Sequence, residues 1–348
     1  NGSLYGVICE GARHSDAVGC VYGMINGIEG FLADSYMNLS ETLSDDDLEL
    51  LRLTPAAYLG SCRFKLPDPE TDSTPFVKLF TLFDKYDICA VFYIGGNDSM
   101  DTVSKLSRAA EIHKSSIRFI GVPKTIDNDL PGTERTFGFD TAMAMATEAL
   151  DRLHTTAESH HRVMVLEVMG RYAGWIALHS GLAGGADVIL IPEIPYRIES
   201  VIEKVKARQA QGKQFSIIVV AEGSKPVGGK MTVARLVKNS FEQVRLGGVG
   251  NKLADEIEAK TGIEARCTIL GYLQRGGSPT AFDRVLSTRY GSAAVEACLA
   301  GAYNVMVALS SGEIVRIPIE EVAGKPHQVP LDSDLIRAGR NLGISFGD

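Results

Sequence analysis

Residues 121–129 read Gly121-Val122-Pro123-Lys124-Thr125-Ile126-Asp127-Asn128-Asp129 and follow the apolar run Ile117-Arg118-Phe119-Ile120. A lysine, a threonine hydroxyl and two carboxylates two residues apart share one short stretch after a strand-like run. Pro123 fixes its own φ and biases Val122 towards an extended conformation. If the backbone stays extended through Asp129, both carboxylates point to one side. Loops at strand ends in α/β proteins commonly carry chemistry. The same residue types also build an ordinary exposed turn, and this stretch alone leaves both readings open.

The chain around it has 348 residues, enough for two domains or one large one. Hydrophobic residues make up 45% and charged residues 22%, the balance of a globular protein. The net charge of −8 argues against a general nucleic-acid or anionic-membrane surface, so an anionic substrate needs a local basic cluster. Cys9, Cys20, Cys62, Cys89, Cys267 and Cys298 form no C-x-x-C pair, which fits reduced thiols in a cytoplasmic protein better than a disulfide framework or zinc site. No apolar stretch is long enough for a membrane span. The start, Asn1-Gly2-Ser3, shows no signal-peptide pattern, and its lack of an initiator Met suggests trimming or an artificial chain end.

Apolar strands alternate with helical segments along the whole length. The expected strands are Leu4–Cys9, Cys89–Ile94, Arg162–Val168, Val188–Ile191, Ser216–Val220, Arg266–Leu270 and Val305–Leu309. Expected helices are Val18–Ile28, Asp45–Leu53 with Ser44 as its cap, Pro75–Tyr86, Met100–His113, Phe139–Glu158, Trp175–Gly181, Glu199–Arg208, Asn251–Thr261 and Asp283–Ala300. Ser224–Met231, rich in Gly and Lys, reads as a mobile surface loop. Strands ending in Gly-containing polar turns and followed by helices indicate an α/β protein with mainly parallel sheets. Gly95-Gly96-Asn97-Asp98-Ser99 has the layout of a phosphate-binding turn, with glycines permitting close backbone approach at a helix N-terminus. An ordinary strand-to-helix turn has the same letters. Arg63, Lys124, Arg162, Arg171, Arg266 and Arg275 each lie near a strand end or in a Gly-rich turn, not on a charged helix face. Arginine forks suit phosphate oxygens, and together these cations suggest a substrate with two or more phosphates.

In this order Leu59–Arg63 (LGSCR), Gly95–Ser99 (GGNDS), Pro123–Asp129 (PKTIDND), Thr136–Ala142 (TFGFDTA), Met169–Arg171 (MGR), Pro192-Glu193 and Gly271–Pro279 (GYLQRGGSP) resemble the phosphofructokinases. The resemblance covers the chain almost end to end. It implies a two-lobed α/β fold, each lobe a mainly parallel sheet flanked by helices. The implied donor lobe is 1–138 plus about 274–323, and the sugar-phosphate lobe is 139–273 plus about 324–348. Asp98 and Lys124 stand where ATP-dependent members usually have glycine and pyrophosphate-dependent members usually have Asp and Lys. An Asp there crowds and repels a nucleotide's α-phosphate, and a Lys adds a cation for the small, highly charged pyrophosphate. The implied reaction is reversible transfer from pyrophosphate to the 1-hydroxyl of fructose 6-phosphate, with Mg²⁺.

By position, Asp127 resembles the general base and Asp129 the carboxylate supporting Mg²⁺, while Thr125 and Arg171 resemble groups that stabilise the transferring phosphoryl. Gly11, Arg63, Gly95, Gly96, Asn97, Asp98, Ser99 and Lys124 fall on the donor side, Asn97 also on the metal. Met169, Gly170, Glu222, Arg162, Arg266, Tyr272 and Arg275 match sugar-phosphate positions, some of which the family draws from a neighbouring subunit. A homodimer or homotetramer with shared sites is therefore implied. Two departures stand out. Asn97 replaces a metal-linked acid of many members, and Glu10–Ala17 replaces the glycine-rich loop expected after the first strand. Arginines used for nucleotide effectors also lack counterparts near Tyr22, Met24 and His154. Alternatives are an ATP-dependent member, one acting on another sugar phosphate such as sedoheptulose 7-phosphate, or a catalytically weak regulatory subunit. A dinucleotide-binding oxidoreductase is disfavoured, since no G-x-G-x-x-G follows the first strand.

Overall fold

The computed structural model describes residues 1–236 and 244–348. The chain opens on α1 (Gly2–Arg13), then β1 (Tyr22–Met24), α2 (Gly27–Leu32), β2 (Tyr36–Asn38), α3 (Leu39–Thr42), α4 (Asp45–Leu53) and α5 (Thr74–Lys85). β3 (Ala90–Gly95), α6 (Asn97–His113), β4 (Arg118–Thr125), β5 (Phe137–Gly138) and α7 (Phe139–His160) follow. Next come β6 (Val163–Val168), α8 (Trp175–Ala183), β7 (Val188–Leu190), α9 (Ile198–Ala210), β8 (Ser216–Ala221), β9 (Val233–Leu236) and β10 (Val244–Leu246). The chain ends with α10 (Val249–Thr261), β11 (Ala265–Ile269), a 3₁₀ turn (Gly271–Arg275), α11 (Ala281–Leu299), β12 (Val305–Ser310), β13 (Glu313–Pro318), α12 (Ile319–Val322) and α13 (Asp334–Asn341).

Two compact units result. The first comprises Asn1–Thr125, Leu130–Phe137 and Gly277–Pro326, and the second Ile126–Asp129, Gly138–Gly276 and His327–Asp348. This division differs from the expected one chiefly in giving Ile126–Asp129 to the second unit. Along the path β13-β12-β4-β3 the sheet of the first unit is parallel except for the β12–β13 hairpin, and β5 pairs with β4 off that path. That of the second runs β11-β6-β8-β7 and is parallel throughout. β6 and β8 are buried at every position, as expected of strands covered on both faces. Each unit has its own core: Phe76, Phe83, Phe119 and Met306 in the first, and Phe139, Leu166, Ile176, Val219 and Phe346 in the second.

Leu4–Cys9 is not a strand. It lies inside α1, with Leu4, Val7, Ile8 and Gly11 buried at helical spacing. Its glycines serve a close helix crossing: a Cβ on Gly6 would meet the Thr288 carbonyl oxygen at 2.3 Å, and one on Gly291 of α11 would meet the Ser3 carbonyl oxygen at 2.0 Å. The helix expected over Val18–Ile28 is also absent. Tyr22–Met24 pairs antiparallel with Tyr36–Asn38, around α2. Ser44 does cap α4, in a full capping box with Asp47. Ser224 is fully buried, its hydroxyl donating to the Leu190 carbonyl at 3.0 Å, and Tyr196 donates its N–H to the Lys225 carbonyl. The start of the Ser224–Met231 stretch is therefore pinned rather than loose.

Candidate active site

In the first unit, β3 ends at Gly95, in register with Pro123 of β4. Gly96 caps α6, so Asn97, Asp98 and Ser99 form its first turn, with Asp98 exposed at its positive end. Crowding holds position 95 to glycine, and Gly96 is closely packed. A Cβ on Gly95 would lie 2.0 Å from the Ser99 hydroxyl oxygen, and one on Gly96 would press on Thr125 Cβ at 3.3 Å. Gly96 thus packs against the end of β4, where Lys124 is exposed and Thr125 half-buried. The Thr136 hydroxyl donates to the Thr125 carbonyl at 2.8 Å and anchors that end. Arg63 is exposed in the loop between α4 and α5, next to Cys62, which packs under Gly27.

β4 runs through Lys124 to Thr125, further than the apolar run alone suggested. The extended backbone does not continue to Asp129: Asn128 has φ +53° and is buried. The simple alternation argument for Asp127 and Asp129 therefore fails at Asn128.

In the second unit the Asp127–Asp129 turn is braced by a residue the sequence did not single out, His327. Its N–H donates to the Asp129 carbonyl at 2.8 Å, and its own carbonyl accepts from Trp175 Nε1 at 2.9 Å. The Trp175 and His327 rings lie 4.9 Å apart. Burial holds the imidazole pKa below its ordinary value, opposed by a backbone hydrogen bond to Asn128 and by Asp129. His327 lies in the C-terminal tail, with no local pattern to mark it.

Met169, Gly170 and Arg171 follow the carboxyl end of β6, and Glu222 that of β8. Gly170 has φ +144° and Arg171 φ +53°, so the chain reverses sharply. A Cβ at Gly170 would meet the Ala173 carbonyl oxygen at 2.5 Å, so glycine is required there. Arg171 N–H donates to Glu222 Oε1 at 3.1 Å, and Met169 N–H to Gln274 Oε1 at 2.7 Å. Gln274, almost fully buried, ties the 3₁₀ turn bearing Tyr272 and Arg275 to this strand end. Tyr272 is exposed and lies 5.7 Å under the Arg275 guanidinium. Glu222 has its pKa pushed up to about 7, first by burial and then by the charges of Asp127 and Glu167. Arg171 N–H and Arg275 oppose that rise. Glu193, from the Pro-Glu motif, is structural: its Oε1 accepts from Gly174 N–H and Val329 N–H, both at 2.9 Å.

Two of the predicted sugar-phosphate arginines are elsewhere. Arg162 precedes β6 and Arg266 is the second residue of β11, at the amino ends of these strands. From Arg162 to Met169 is a strand's length, roughly 23 Å. Glu264 pairs with both guanidiniums, at 2.8 Å to Arg162 Nε, and Glu258 pairs with Arg266 at 3.1 Å. Gly11 is also misplaced as a donor-loop residue. It sits in the last turns of α1, and a Cβ there would meet only Val21 and Val18. The segment read as an altered phosphate loop is the end of a helix, with Glu10 bonded to His14 at 3.2 Å and to the Ser292 hydroxyl at 2.8 Å.

Among the described residues no cluster of three or more His, Cys, Asp or Glu could hold a metal alone. Mg²⁺ usually binds through one or two carboxylates plus substrate phosphates and water, so a magnesium site need not show such a cluster. None of the described helices is long and apolar enough to cross a membrane.

The model of the phosphofructokinase family matches residues 1–298. The ATP-dependent 6-phosphofructokinase of Chloroflexus aggregans is 49% identical over 337 residues, covering 94% of this chain and 89% of that protein. The pyrophosphate–fructose 6-phosphate 1-phosphotransferase of Amycolatopsis methanolica is 48% identical over 291 residues, covering 84% and 82%. The structure of the pyrophosphate-dependent phosphofructokinase of Marinobacter aquaeolei superposes with a TM-score of 0.82 at 31% identity, covering 100% of this chain and 88% of that one. With a family match across most of its length and these relatives, the chain belongs to the phosphofructokinase family.

Proposed function

We propose that the protein transfers a phosphoryl group from pyrophosphate to the 1-hydroxyl of fructose 6-phosphate, reversibly and with Mg²⁺. The observation that carries the choice of donor is Lys124, exposed at the end of β4, in a unit whose adjoining β3–α6 turn places Asp98 on a helix N-terminus. Lysine suits a compact, doubly charged end group, and Asp98 disfavours a bulkier nucleotide.

In this reading Asp127 accepts the proton of the sugar hydroxyl and Asp129 takes part in holding the metal. Thr125 and Arg171 stabilise charge on the moving phosphoryl, and Glu222, Met169 and Gly170 receive the sugar. Bound Mg²⁺ supplies charge neutralisation on the donor phosphates. The protein's work is positioning and electrostatics, since phosphoryl transfer needs little covalent help. Arg162 and Arg266, at the opposite end of the sheet from Met169, are proposed to serve the site of another copy in a homodimer or homotetramer. The proposed setting is the cytoplasm.

The Chloroflexus aggregans relative, named ATP-dependent, favours a second reading with ATP as donor. The case for a non-catalytic subunit rested on an altered phosphate loop at Glu10–Ala17. It loses its motive, because that segment belongs to α1 and the turn after it. A side-by-side assay of pyrophosphate and ATP with fructose 6-phosphate tests the proposal. Turnover with pyrophosphate, weakened when Asp98→Gly and Lys124→Gly are combined, is the expected result. Turnover with ATP alone, or a donor preference untouched by the double variant, overturns it.

A further inference from the structure

The first unit contains a concave site at the opposite end of β4 from Lys124. A cavity of about 360 Å³ opens between the C-terminal end of α6, the turn into β4 and the turn from α11 to β12. Arg118, Ser107, Glu111, Asn304, Ser116 and Tyr303 line it. From Arg118 to Thr125 is the length of the strand, roughly 23 Å, so this cavity is separate from the donor-side residues.

Three features mark it as more than a surface dent. The Ser107 hydroxyl is buried, the residue being 3% exposed, and has no hydrogen-bond partner among the described residues. A lone buried hydroxyl is costly unless something else satisfies it. Arg118 spends one guanidinium nitrogen on the Cys298 carbonyl, at 2.8 Å, and the rest of its fork has no partner among the described residues. Asn304 sits in a left-handed turn at φ +54°, with a side-chain amide that likewise makes no bond among them.

The charges along the wall are opposed. Arg118 is the cation, and Glu111 lies in the last turn of α6, whose carbonyl end favours positive charge. One cation and one carboxylate sum to zero, which disfavours a doubly charged phosphate and matches a ligand carrying both signs. We infer that this cavity binds a free α-amino acid. The carboxylate is received by the Arg118 fork, the ammonium by Glu111, and the side chain by the space beside Ser107, Asn304 and the exposed Tyr303 ring. The volume falls at the lower end of small-molecule sites.

The experiment measures thermal shift of the full-length protein with each of the twenty proteinogenic L-amino acids at millimolar concentration, with calorimetry on those that respond. At least one amino acid is expected to raise Tm in a saturable manner. Glu111→Gln and Arg118→Gln should each weaken its binding about tenfold or more, the effect of losing one charged hydrogen bond. Ser107→Ala separates a binding role from a packing role. Without ligand it should leave Tm unchanged or raised, since a buried unsatisfied hydroxyl is removed, while affinity still falls. Turnover in the absence of amino acid should be the same in Glu111→Gln as in the parent. No response to any amino acid overturns the inference, as does binding that survives both charge variants. Binding of inorganic phosphate or fructose 6-phosphate, lost in Arg118→Gln while no amino acid binds, also overturns it.

Discussion

At the level of single residues, the roles of the two carboxylates depend on local backbone and charge. Asp127 and Asp129 flank Asn128, whose left-handed conformation turns the chain and invalidates a strand-like alternation. Asp127→Ser is expected to lower kcat about 10²- to 10⁴-fold, the range for a lost general base, measured by steady-state turnover with saturating substrates. Near-parental turnover would remove Asp127 from that role. Glu222 carries a second expectation. Its folded pKa of about 7 exceeds its unfolded value near 4.5, because burial and the neighbouring carboxylates disfavour the charged form. Between these pH values the folded state binds more protons. The contribution of Glu222 to stability is therefore full below the lower value and is lost as pH rises through about 7. Glu222→Gln should flatten this part of the profile of stability against pH, followed by chemical denaturation. If the ionised carboxylate receives sugar hydroxyls, the parent's KM for fructose 6-phosphate rises as pH falls below about 7, and the variant's does not.

At the level of elements, α1 shows how packing overrides a local pattern. Leu4–Cys9 is short and apolar, and such runs do not distinguish strand from buried helix by composition. What decides is the crossing with α11, where Gly6 and Gly291 allow backbone to approach backbone. Gly6→Ala should gain up to about 1 kcal/mol in helix propensity. It should lose more, about 1–3 kcal/mol, through overpacking, since the added Cβ would lie 2.3 Å from a main-chain oxygen that cannot swing aside. Urea denaturation should show net destabilisation, and a more stable variant would refute the crossing. The β3–α6 turn was legible as written, because its glycines and polar residues answer to a local demand, a strand entering a helix N-terminus. His327 was not legible. It acts on Asp129 from a segment nearly 200 residues later.

At the level of the whole molecule, the second unit separates its predicted sugar-phosphate residues between two ends of one sheet. Met169, Arg171, Glu222 and Arg275 lie at the carboxyl end, and Arg162 and Arg266 at the amino end, held by Glu264 and Glu258. A site that needs both sets must draw them from two copies. Inactive Asp127→Ser and Arg266→Ala proteins, dissociated together and reassociated, should therefore regain activity that neither regains alone. Absence of recovery in verified mixed oligomers would assign Arg266 some other task.

The sequence by itself determined the alternation of strands and helices, the parallel α/β class, the family and the identity of the strand-end turns. These depend on periodicity, glycine and proline chemistry, and short motifs read within a few residues. Only the tertiary structure decided that the chain opens on a helix and that Gly11 lies away from any phosphate loop. It also decided that β4 carries Lys124 and Thr125 as strand residues, and that Arg162 and Arg266 stand at the opposite end of the sheet from Met169. Each of these depends on which distant segment packs against which, a matter of backbone approach and burial that no local spacing encodes.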